Sequence, residues 1–143
     1  MGDKLSTDEL LANVPLFKGL DKKHLKRVAQ LATRLDLPAE RELTREGQPG
    51  HEFLVVLEGE VEVRVGDKVV ATRGPGDFLG EIALLEHRPR TATVVTKTPV
   101  VVEVIGRREF ATLLDDEPEV AAQLKSAMAE RLAELENADP ADG

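Results

Sequence analysis

Glycines at positions 47, 50, 59, 66, 74 and 76 punctuate the middle of this chain, and between them apolar and polar side chains alternate. In "GEVEVRVGDKVVA" (residues 59–71), Val61, Val63 and Val65 alternate with Glu60, Glu62 and Arg64, and Gly66-Asp67 then turns the chain into Val69 and Val70. A period of two sends neighbouring side chains to opposite faces of a strand, so this stretch reads as a hairpin with one buried face. Turn signals recur about every ten residues between 33 and 106, a spacing typical of short antiparallel strands closed into a sandwich, roll or barrel. "TPVVVEVIG" (98–106) supplies a last, largely apolar strand.

Both flanks carry helical patterns. "STDEL" places Ser6 three residues before Glu9, the spacing of a reciprocal capping box, with Leu10, Leu11 and Val14 as the apolar stripe and Pro15 as the stop. In "LDKKHLKRVAQLA", Asp21 is placed to cap a second helix that turns Leu25, Val28 and Ala32 inward and Lys and Arg outward. After Gly106, "RREFATLL" forms a short helix. Asp116 and Glu119 flank Pro118 in a capping-box-like arrangement, and Val120, Leu124, Met128, Leu132 and Leu135 then run as a stripe to residue 137. "ADPADG" (138–143) is small, acidic and broken by Pro and Gly, and is expected to be a disordered tail. The expectation is one domain over 1–137: N-terminal helices at 6–33, a β-roll at 34–106 and C-terminal helices at 107–137.

Composition narrows the possible functions. A chain of 143 residues is long enough for one core and short for two. A net charge of −8 repels a phosphate backbone, and 3% aromatic residues with no Trp or Tyr leave little to stack nucleobases on, so no nucleic-acid partner is expected. No apolar run approaches membrane-spanning length, the start lacks a secretory pattern, and cysteine is absent; the expectation is a cytoplasmic protein without a membrane partner. His24, His51 and His87 share no ligand spacing, which argues against a metal site. No nucleophile elbow, zinc motif or P-loop occurs, so the chain is not read as an enzyme.

The chemistry concentrates in "GDFLGEIALLEHRPRTATV" (76–94). Gly76 and Gly80 bracket a short extended piece where backbone can approach a ligand. "EIALL" then provides one helical turn, whose free N–H groups around Ile82, Ala83 and Leu84 suit phosphate oxygens, and Arg90 adds a planar cationic fork. Glu81 repels phosphate and is suited instead to accept hydrogen bonds from a sugar hydroxyl. An anion held by Arg90 beside a hydroxyl held by Glu81 describes a ribose phosphate. The competing interpretation, a structural Glu81–Arg90 ion pair, is physically reasonable on the two residues alone.

"GEIALLEHRPRTATV" resembles the phosphate-binding cassette of cyclic nucleotide-binding domains, and "EGQPGHEFLVVLEGEVEV" and "GPGDFLGE" resemble that family's strand and turn signatures. At the level of element order the likeness covers roughly residues 10–137. It implies an antiparallel, jelly-roll-like double-stranded β-roll flanked by helices. The turn would form at Gly80, Glu81 would hold the ribose hydroxyl, and Arg90 and the amides of Ala83 and Leu84 would hold the cyclic phosphate. Ile82, Thr91 and Ala92 complete the cassette, and Val63 and Val70 would line the base pocket. It further implies a hydrophobic hinge at Leu84 and Phe110 and a lid in the last helix, for which Leu124, Met128 and Arg131 are the candidates. The ligand would be cAMP or cGMP, with cAMP favoured, and occupancy would be signalled through the C-terminal helix. No helix-turn-helix, kinase, channel or cyclase segment is expected, so an unidentified effector protein would read the signal. The last stripe also suits a homodimer contact. The alternative function is a nucleotide-independent dimerisation or protein-interaction roll.

Overall fold

The computed structural model describes residues 6–137, and the tail expected at 138–143 lies outside them. Ser6 and Glu9 form the reciprocal capping box, with the Ser6 N–H donating to Glu9 Oε1 at 2.9 Å, and start α1 (Thr7–Leu11). This helix stops four residues short of Pro15. Asn13 and Val14 donate instead to carbonyls three residues back, and a 3₁₀ turn follows at Pro15–Phe17. Asp21 caps α2 (Lys22–Leu31) by accepting from the His24 N–H at 2.9 Å. The helical pattern was expected to reach residue 33, but Ala32 already begins β1 (Ala32–Leu37), paired with the last strand.

The roll continues with β2 (Glu42–Thr44), β3 (Glu52–Glu58), β4 (Val61–Val65), β5 (Lys68–Arg73) and β6 (Phe78–Leu79). α3 (Glu81–Leu85) interrupts the strands before β7 (Thr93–Thr96) and β8 (Val100–Gly106). Two four-stranded antiparallel sheets result, ordered β1-β8-β3-β6 and β2-β7-β4-β5. β3 sits inside the first sheet with both faces covered, which explains its apolar run: Phe53 and Val55 face the helices, while Leu54 and Val56 face the second sheet. α4 (Arg107–Asp116) and α5 (Pro118–Asn137) close the chain. Asp116, the expected start of the last helix, is instead the final residue of α4.

The helical layer packs one core on the first sheet. Phe53 and Phe110 meet there at 4.9 Å between ring centroids, with Leu11, Phe17, Val28, Leu113, Val120 and Leu124 around them. A second core fills the space between the sheets around Val61, Leu79, Val94 and Val102. The β4–β5 hairpin turns at Gly66-Asp67, and its register slips at Val63/Arg64: Val63 pairs with Ala71 and Arg64 with Val69, leaving Val70 unpaired. Such a bulge re-aims side chains. Here both Val70 and Ala71 reach the cavity described below.

Two positions make the architecture sensitive to substitution. Gly59 has φ +88°, and a Cβ there would lie 2.2 Å from the Pro99 carbonyl oxygen, so Gly59→Ala is expected to lose at least about 2 kcal/mol in chemical denaturation. Glu103 on β8 is fully buried; its Oε2 lies 3.4 Å from Arg34 Nε, while its Oε1 and Arg34 Nη2 lack partners among the described residues. Burial pushes the Glu103 carboxyl above its ordinary value of 4.5, against the opposing pull of Arg34. A carboxyl with a raised folded pKa binds its proton more tightly in the native state. The stability it contributes is fully present below the ordinary value and is lost as pH rises through the folded one. Urea unfolding across that range is expected to show this decline in the parent chain and its absence in Glu103→Gln.

Candidate functional site

Gly80 adopts φ +90° as the residue preceding α3 and swings the chain from β6 into that single helical turn. The first N–H groups of the turn have no partners within a helix this short. At its other end the Arg88 N–H donates to the Ala83 carbonyl (3.1 Å), with His87 at φ +51° between. This is the closing pattern of a helix terminated by a left-handed residue, and it turns the chain back toward Arg90.

Arg90 is 7% exposed and donates to two backbone carbonyls, through Nη2 to Glu52 at 2.9 Å and through Nη1 to Gly80 at 3.2 Å. Two glycines make room for it. A Cβ at Gly80 would come within 2.6 Å of Arg90 Nη1, and one at Gly50 within 2.9 Å of Nε. The nearest carboxylate paired with it is Glu52, half-exposed and 3.7 Å away. Burial lowers the Arg90 pKa, with Glu52 and Glu81 pulling the other way, and a guanidinium keeps its charge under any such shift.

Glu81 is 1% exposed and is not bonded to Arg90. Its partner is Arg131 of α5, whose Nη1 lies 2.9 Å from Oε1 and 3.0 Å from Oε2 and also donates to the Phe78 carbonyl at 2.7 Å. The same guanidinium lies over the Phe78 ring, 4.3 Å from its centroid. A second ion pair, Arg73–Glu134 at 3.5 Å, ties α5 to β5. The long helix therefore lies across the mouth of a cavity lined from both the roll and α5.

Val63, Val70, Gly80, Glu81, Ile82, Ala83, Arg90, Thr91, Ala92 and Arg131 all border this one space. The Leu84 side chain points elsewhere, into the helical core that also holds Phe110. Leu124 is fully buried in that core and Met128 is half-buried; neither borders the cavity. The five-membered stripe read from the sequence advances by four residues per step until its last interval, and each such step rotates about 40° around a helix of 3.6 residues per turn. Leu132 thus drifts off the facing side, and Arg131, seven residues after Leu124, returns to it. Arg73, Glu134 and Leu135 also border the cavity and were missed by sequence reasoning. Leu135 and Glu134 follow Arg131 at helical spacing, which was a usable signal; Arg73 had none. Among the described residues no group of His, Cys, Asp or Glu is arranged to hold a metal ion, and no helix is long and apolar enough to cross a membrane.

A hydrogen-bonding cation, a one-turn helix with free amides, an apolar wall from two strands and a helix across the mouth together form a binding cavity. The sequence pattern of the family described as "Cyclic nucleotide-binding domain" matches residues 34–117. A cyclic nucleotide-gated potassium channel of Mesorhizobium japonicum is 34% identical over 130 residues, covering 91% of this chain and 36% of the channel. The cAMP-dependent protein kinase regulatory subunit of Neurospora crassa is 32% identical over 131 residues, covering 90% of this chain and 34% of the subunit. The chain thus spans about a third of the length of these two relatives. The crystal structure of the Thermus thermophilus catabolite activator protein superposes with a TM-score of 0.76 at 27% identity, covering 85% of this chain and 60% of that one. The β-roll with flanking helices is the fold shared with that activator protein, and the chain belongs to the cyclic nucleotide-binding domain family.

Proposed function

We propose that this chain binds a cyclic mononucleotide, cAMP in preference to cGMP, in the cavity between α3 and α5, and that α5 reports occupancy to a separate effector protein in the cytoplasm. The observation that carries the reading is Arg90: a nearly buried guanidinium on the cavity wall beside the free amides of α3, held in place by backbone carbonyls. A cation fixed by carbonyls keeps its charge for an incoming anion. A doubly bonded carboxylate would have neutralised it.

The remaining roles follow from position. The amides of Ala83 and Leu84 join Arg90 on the phosphate, Glu81 takes the ribose hydroxyl, and Val63 and Val70 face the base, with Thr91 and Ala92 beside them. Glu81 is already bonded to Arg131, so a sugar hydroxyl reaching Glu81 changes the contact that holds α5. This gives the two arrangements of α5 different affinities for ligand, the condition under which binding shifts their populations. Leu84 and Phe110, packed in one core, are the hinge through which α3 and the terminal helices move together. A homodimer contact along α5 is part of the same proposal.

The Arg131–Glu81 bond also favours a second reading, because it satisfies the buried carboxylate without any ligand: a roll that works as a nucleotide-independent interaction or dimerisation unit. Titration calorimetry separates the two. With cAMP, Arg90→Ala is expected to lose about 3 kcal/mol, roughly a hundredfold or more in affinity, whereas the second reading gives no heat from the parent chain with cAMP or cGMP. Arg131→Ala is expected to abolish the ligand-induced displacement of α5, measured by the distance between spin labels on α5 and β5. An unchanged displacement in that variant removes Arg131 from the switch.

A further inference from the structure

We propose that His24 and Glu117 form a proton-linked clasp at the root of α5, which holds the helix over the cavity more firmly as pH falls through the neutral range. Its consequence for ligand affinity rests on the nucleotide reading above; the clasp itself does not.

Glu117 is the joint between the last two helices. Its N–H donates to the Leu113 carbonyl at 2.9 Å and closes α4, while its carbonyl accepts from the Ala121 N–H at 3.0 Å and opens α5. Between those bonds the backbone leaves helical geometry, at φ −126° and ψ 79°. The side chain turns inward and is almost fully buried. Its Oε2 lies 2.6 Å from Nδ1 of His24 on α2, a residue 93 positions earlier, and this is the hydrogen bond its carboxylate makes among the described residues. The N-terminal helices are thereby fastened to the point where the lid begins.

The chemistry of this pair depends on one proton. A buried carboxylate needs a cation or several donors to offset its lost hydration. Imidazolium supplies a charge-assisted bond, whereas neutral imidazole supplies at most an ordinary one. The His24 side chain is 39% exposed, so water can deliver and remove the proton.

The charged groups acting on His24 come from both sides of the contact. Glu117 from the α4–α5 joint and Asp21 from the start of α2 favour the cation; Arg27 on α2 opposes it. Glu119 at the start of α5 lies toward Gly19, where its Oε2 would be 3.3 Å from a Cβ. The hydrogen bond to Glu117, ahead of its charge, raises the His24 pKa above the ordinary 6.5. A base with a raised folded pKa contributes stability that is fully present below the ordinary value and is lost as pH rises through the folded one. By reciprocity, a ligand that takes Glu81 from Arg131 and so works against the clasped arrangement releases protons on binding.

The chain contains no cysteine, so spin labels placed through Lys68→Cys on β5 and Glu130→Cys on α5 report the helix alone. Without ligand, the label-to-label distance distribution is expected to be narrow near pH 6 and broad near pH 8.5, and His24→Gln, which keeps a neutral donor, should be insensitive to pH. Calorimetry with cAMP over the same range should show affinity rising about three- to tenfold as pH rises. Proton release should appear across buffers of different ionisation heat, and both effects should be flattened in His24→Gln. His51 and His87 remain in that variant and account for any slope they cause. A helix position and affinity that ignore pH, or a parent-like pH response in His24→Gln, overturn the clasp. A pH-dependent helix with no heat from cAMP or cGMP at any pH keeps the clasp and removes the nucleotide reading.

Discussion

One buried guanidinium organises the cavity. Arg90 draws the carbonyls of Glu52 and Gly80 to itself and fills the space left by the missing side chains of Gly50 and Gly80. It thereby joins the start of β3, the turn before α3 and the end of the cassette loop at one point. Isolated charge is costly to bury, and two carbonyl dipoles beside a distant, half-exposed Glu52 compensate it only in part. Arg90 and the start of α3 therefore border the same cavity, with the Arg90 charge only partly compensated. In a chain with a net charge of −8, anion binding at this cavity has to come from such local arrangement and not from the overall field.

The long C-terminal helix is attached to this centre by polar contacts at its far half and by apolar packing at its near half. Val120 and Leu124 are fixed in the helical core, while Arg131 and Glu134 hold the cavity mouth through ion pairs with Glu81 and Arg73. The two halves differ in how easily they let go. Removing the near half would expose large apolar surface, whereas releasing the far half returns both partners of its ion pairs to water, and their hydration offsets the lost attraction. The root of the helix is Glu117, held in turn by His24. Glu81, whose carboxylate was expected to be available for a sugar, is bonded instead to Arg131 of α5.

Membership of the cyclic nucleotide-binding domain family fits these features without fixing the output. The relatives include a channel and a kinase regulatory subunit, each far longer than this chain. On the reading proposed above the signal is mechanical: α5 changes its hold on the roll, and whatever that helix contacts reads the change.

Local chemistry made much of the fold legible. The alternation in "GEVEVRVGDKVVA", the Ser6–Glu9 capping box, the Asp21 cap and the Gly66-Asp67 turn are short-range features, and each forms where its spacing placed it. So is the cassette, whose Gly80, Glu81, Ala83 and Arg90 lie within eleven consecutive residues and border one cavity. Partners from distant segments were not legible. That Glu81 bonds Arg131 rather than Arg90, that Arg73 meets Glu134, that a bulge brings Val70 and Ala71 together to the cavity, and that Leu124 faces the core all depend on how α5 and the hairpin rotate as they pack. The sequence by itself determined the elements and the short run of residues that borders the cavity, because backbone periodicity and capping act over a few positions. The tertiary structure decided which charges neighbour one another, because a helix face shifts by about 100° with each residue and only packing selects the face that is buried.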